Sequence, residues 1–155
     1  MNNIEEMNNN ENLFLKRIQK NNEDLFFQAY KENDLKIIKW CLDSGICTDF
    51  KDNDFIQVCS EENRLEVLKL LHKYNWHGHG AISFMIAVQD SNLEMMKWLY
   101  EMGYSKDYSP EYLVSKDPKI MQWLKDHGIE FNKKTLMLAK EWDCVETIKW
   151  LKKNI

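Results

Sequence analysis

One thirteen-residue phrase recurs five times in this chain: NDLKIIKWCLDSG at 33–45, NRLEVLKLLHKYN at 63–75, SNLEMMKWLYEMG at 91–103, KDPKIMQWLKDHG at 116–128 and DCVETIKWLKKNI at 143–155. Aligned on a bulky apolar anchor (Trp40, Leu70, Trp98, Trp123, Trp150), the copies are spaced 30, 28, 25 and 27 residues apart. A period in this range restricts the fold severely. It implies small supersecondary units, none able to bury its apolar face alone, stacked so that each covers its neighbour. Such a chain is expected to bind a partner rather than to transform a substrate.

Each copy carries two helical pieces. In the second, apolar residues stand three before, two before, at and one after the anchor, as in Ile37, Ile38, Trp40 and Cys41 or Val67, Leu68, Leu70 and Leu71. A stripe that wide suits a helix packed on its own partner and on both adjacent units. It assigns Trp40, Trp98, Trp123 and Trp150 to the core. The first piece has an apolar residue fourteen before the anchor (Phe26, Ile56, Phe84, Leu136) and a small one eleven before it (Ala29, Cys59, Ala87, Ala139), which permits close helix approach. Asp24, Asp54, Ser83 and Thr135 are the predicted N-caps of these first pieces.

The fourth copy is shorter because Ser109-Pro110 and Asp117-Pro118 each read as an N-cap followed by proline at the first helical position, leaving a helix of about six residues between them. The fifth has Thr147 where the others have Ile37, Val67, Met95 and Ile120, and Lys152 where the third has Tyr100. A polar outer face on residues 143–155 predicts a C-terminal cap. At the other end, residues 1–12 hold six asparagines and little to bury, predicting a disordered tail, and 13–22 predict a capping helix. The expected units are then 24–52, 53–80, 81–107, 108–132 and 133–155.

Composition narrows the function. No run approaches the roughly 20 apolar residues of a membrane-spanning helix, and the polar, acidic start is unlike a secretion signal, so a cytoplasmic, non-secreted protein without a membrane partner is expected. The net charge of -4 arises from well-mixed signs, with no basic stripe for nucleic acid. Cys41, Cys47, Cys59 and Cys144 form no C-x-x-C pair and read as small buried hydrophobes in a reducing compartment.

On the stretches NRLEVLKLLHKYN and SNLEMMKWLYEMG, and on the endings GICTD, GYSKD and GIEFN, the chain resembles the ankyrin repeat family over residues 24–155. Tryptophan at the anchor with lysine before it is similar to the divergent, short repeats of large DNA viruses of amoebae. The family's Thr-Pro-Leu-His opening is absent, replaced by DLFF and DFIQ, and the units are shorter than the usual 33 or so residues. The resemblance implies an all-α solenoid of about five helix-turn-helix repeats with capping helices. It also implies protein binding, with a host or viral protein as target.

The expected binding surface has three sources. Trp142 replaces a polar residue (Glu32, Glu62, Asp90, Ser115) of the other copies and is predicted to face solvent, or to fold back over the terminal helix. Phe50, Tyr108 and Phe131 follow the glycine turns and, with His77 and His79 of WHGHG, would line one edge unless they pack into the core. Gln28, Gln57 and Gln89 are first-helix polar residues presented in register. His77 and His79 alone are too few for zinc, so no metal is expected; no cofactor motif and no catalytic set stand out either. The expectation is a non-enzymatic interaction module, monomeric alone; the alternative is a self-assembling structural component of a larger complex.

Overall fold

The computed structural model describes residues 24–45, 55–76, 78, 80–105 and 109–155, and all regular structure in them is helical. In chain order the helices are α1 (24–32), α2 (Leu35–Asp43), α3 (Phe55–Glu61), α4 (Leu65–Lys73), α5 (Gly80–Gln89), α6 (Leu93–Glu101), α7 (Pro118–Asp126), α8 (Lys133–Glu141) and α9 (Val145–Asn154), with a 3-10 turn, Pro110–Tyr112, between α6 and α7. Among these residues there is no strand, and no helix is long and apolar enough to cross a membrane. The tail at 1–12, the capping helix at 13–22, Asp54 and Cys47 lie outside the described residues.

The chain divides into two compact units, Met1–Asn53 with Glu66–Trp76, and Asp54–Leu65 with His77–Ile155. In the second unit like packs on like: α3 lies against α5, the 3-10 turn against α8, and α7 against α9, while α5 pairs with α6 and α8 with α9. Its C-terminal core gathers Val114, Met121, Ala139, Cys144 and Leu151. In the first unit Phe26 stacks on Trp76, ring centroids 5.8 Å apart, both fully buried.

Two turns repeat with the phrase. After four of the first helices the chain enters the left-handed region at Asn33, Asn63, Ser91 and Asp143, with φ between 51° and 58°. The next N–H then reaches back to the small residue's carbonyl: Asp34 to Ala29, Arg64 to Cys59, Asn92 to Ala87 and Cys144 to Ala139, at 2.7 to 2.9 Å. This is the glycine-type helix stop made with short polar residues, which tolerate positive φ better than others. The small residue therefore has two functions, close packing and presenting its carbonyl. After the second helices the same stop uses Gly45, Asn75, Gly103 and Gly128.

The core stripe is narrower than the sequence suggested. Buried residues stand three before, two before and one after the anchor: Val67, Leu68 and Leu71, then Met95, Met96 and Leu99, then Ile120, Met121 and Leu124. At 100° per residue the anchor lies roughly 110° from the middle of that stripe. Consequently Trp40 is 53% exposed, and Trp98, Trp123 and Trp150 are half-buried, not core. The three described cysteines, Cys41, Cys59 and Cys144, are buried.

The predicted caps need correcting. Asp24 is already helical, Ser83 sits inside α5 with a buried, unpartnered hydroxyl, and Thr135 is the third residue of α8, in a capping box with the true cap Asn132. The other working side-chain caps are on second helices, where Asp34, Asn92 and Asp117 accept backbone N–H bonds.

The fourth copy holds the largest departure. Proline at 118 keeps Asp117 extended, and only Pro110–Tyr112 coils, leaving 113–117 non-helical and largely buried. Ser115, expected in solvent, is fully buried there. Its Oγ lies 2.8 Å from Ser91 Oγ and accepts from Asp117 N–H at 3.1 Å, while its N–H points to Met121 Sδ at 3.3 Å. Its carbonyl accepts from Thr147 Oγ1 at 2.6 Å. Thr147 is therefore an inward-facing, fully buried residue rather than part of a polar outer face. Its hydroxyl supplies the donor that a regular helix would have provided.

Candidate interaction surface

Because the anchors flank the core stripe, the second helices of unit 2 and the segment after α7 carry a row of rings along one edge, half-buried except for the exposed His127. Tyr100 of α6 meets the edge of Trp123 of α7 at 5.1 Å and of His127 at 5.3 Å. Trp123 and His127, one turn apart, stack at 3.6 Å with an interplanar angle of 20°. His127 Nδ1 is also 2.7 Å from the Trp123 carbonyl oxygen, so backbone and ring together hold the imidazole in place. One copy further on, Trp150 Nε1 donates to Gln122 Oε1 at 3.2 Å, and the Lys125 ammonium lies 5.8 Å from the Trp150 ring centre. Phe131 completes the row, edge-on to Trp150 at 5.8 Å.

A cleft of about 410 Å³ opens beside this row, lined by Lys125, Gly128, Ile129, Glu130, Phe131 and Asn154. Lys125 donates to Asn154 Oδ1 at 3.0 Å, tying the end of α9 to α7. The positive φ of Gly128 makes the turn that brings Ile129 and Phe131 to the cleft. The cleft thus combines apolar walls, one cation and the exposed Glu130.

In unit 1 the corresponding contact is polar. Tyr74 donates its hydroxyl to the Asp43 carboxylate, which also accepts from Lys39. The Lys39 bond first, then that of Tyr74, holds the Asp43 carboxyl below the usual carboxylate range. The same Asp43 bond raises the Tyr74 hydroxyl above its ordinary value.

The predicted residues are scattered by comparison. Phe131 joins the aromatic row but packs partly on the C-terminal core, beside Trp150. Trp142 is 38% exposed at the C-terminal end of α8, in a turn flanked by Met137 at 59% and Val145 at 51%. Gln28 and Gln57 bond to Glu32 and Glu61 on their own helices, and Gln89 ends α5 half-buried. Phe50, His77, His79 and Tyr108 lie outside the described residues. Sequence reasoning missed Tyr100, Gln122, Lys125 and His127. Part of their signal was present in the helical angle, since the residues two after one anchor, Tyr100 and Lys125, reach the next anchor, Trp123 and Trp150.

Among the described residues no three His, Cys, Asp or Glu side chains gather to hold a metal. No family model matches the chain, and no curated protein or solved structure is significantly similar to it.

Proposed function

We propose that this chain is a small α-solenoid of ankyrin-like repeats that serves in the cytoplasm as a protein-interaction module, its target another protein, of a host or of a virus. The observation that carries the reading is the row Tyr100, Trp123, His127, Trp150 and Phe131, whose rings are fixed by contacts with one another. Rings already held in place lose little conformational freedom on binding, and Tyr and Trp concentrate binding energy at interfaces. The like-on-like packing of α3 with α5 and α7 with α9 supports the repeat reading, as do the recurrent turns.

The test is a pull-down from lysate with the full chain, compared with a variant carrying His127→Ser and Lys125→Ala, both exposed, and with Trp142→Ala. Loss of a stoichiometric partner with the first variant, while its melting curve stays cooperative, supports the aromatic edge. Loss only with Trp142→Ala moves the surface to the α8–α9 turn. Recovery of no partner by the wild-type chain overturns the interaction reading.

A further inference from the structure

Unit 1 contains a second surface of different chemistry. A groove of about 430 Å³ has an apolar floor of Leu35 from α2 and Leu70 from α4, both half-buried. Its rim is basic, with Lys36 and Lys39 on one helix and Lys69 and Lys73 on the other, against Glu66 alone. Lys69 bonds to Glu66 at 2.6 Å and Lys39 to Asp43. Lys36 and Lys73 are exposed and have no ion-pair partner among the described residues. The equivalent positions of the next two copies are not basic in this way, α6 having Glu94, Lys97 and Glu101 and α7 having Lys119, Gln122 and Asp126, while α9 repeats the α4 pattern with Glu146, Lys149 and Lys153.

Resting on the interaction-module reading, we infer that this groove takes an acidic peptide segment of a protein partner, an apolar side chain seating on Leu35 and Leu70 between carboxylates that meet Lys36 and Lys73. The floor supplies apolar burial, and Lys36 and Lys73, neither of them held in an ion pair among the described residues, supply charge complementarity. The Lys39–Asp43 and Lys69–Glu66 pairs are solvent-screened contacts within single helices, readily exchanged for a partner's carboxylates. A nucleic acid fits less well. Its phosphates leave the apolar floor uncovered, and they meet Glu66, Asp43 and a chain of net charge -4.

The experiment is fluorescence anisotropy on the full chain with a labelled seven-residue peptide, Asp-Glu-Leu-Glu-Asp-Leu-Glu. Its controls replace the acids by amides or the leucines by alanine. Saturable binding is expected that weakens with salt and is lost with either control. Lys36→Gln with Lys73→Gln should weaken it about tenfold or more, as loss of two charge-assisted contacts implies. Lys149→Gln with Lys153→Gln, the same charge change on α9, should leave it unaltered. Indifference to the Leu→Ala control, equal binding of oligothymidylate, or a charge-dependent dimer that disappears with Lys36→Gln and Lys73→Gln each overturns the assignment. If no peptide binds while the pull-down still recovers a partner, the groove fails and the interaction module stands.

Discussion

Thr147→Val separates what the repeat pattern predicts from what the structure demands. Four other copies carry Ile37, Val67, Met95 or Ile120 at this position, so conforming to the pattern should stabilise the protein. In the structure, however, the Thr147 hydroxyl is the donor to the buried Ser115 carbonyl, at 2.6 Å. Exchanging the hydroxyl for a methyl adds about 0.8 kcal/mol of apolar burial. Leaving the carbonyl unsatisfied costs about 1–3 kcal/mol. The net is a loss of about 0.2–2 kcal/mol, or a fall in melting temperature of up to roughly 8 °C. Urea unfolding read by far-ultraviolet circular dichroism and by tryptophan fluorescence measures it, with Thr147→Ser retaining the donor as a control. A valine variant as stable as wild type, or more so, would refute the assigned role of the bond.

Three further outcomes follow from particular contacts. A Cβ on Gly80 would lie 1.8 Å from Tyr104 Cδ1, so Gly80→Ala should destabilise by about 1–3 kcal/mol in a thermal melt, and Tyr104→Ala in the same chain should recover part of that loss. Ser83→Ala should be neutral or stabilising by up to about 1 kcal/mol, because the serine hydroxyl is buried without a partner; marked destabilisation would show that it has one. Asp43 has a lowered pKa, so its contribution is present above the ordinary carboxylate range and is lost as pH falls through the folded value. Asp43→Asn should flatten acid denaturation in that window, and should return the raised Tyr74 hydroxyl to its ordinary range in an ultraviolet titration.

Much of the fold is legible in the chain because helical periodicity is local. The five phrases mark the second helices within a residue or two, and the small residues of the first helices are all buried. The glycine stops at Gly45, Gly103 and Gly128 also stand out, since only positive φ requires them. The matching stops at Asn33, Asn63, Ser91 and Asp143 are less visible, because each of those residue types has several other uses.

The sequence by itself determined that the chain is helical, where its turns fall, and which residues recur. Only the tertiary structure decided which side of each helix is covered. Trp40 and Trp123 satisfy a hydrophobic pattern equally well, yet the first is largely exposed and the second stacks on His127 and meets Tyr100 of the preceding helix. The polarity of Thr147 and Ser115 says surface, but a missing turn of helix in the fourth copy leaves a buried carbonyl that needs a hydroxyl. Periodicity reports the face a helix prefers to bury; the neighbour's geometry sets how far round that burial extends and which buried polar groups must find partners.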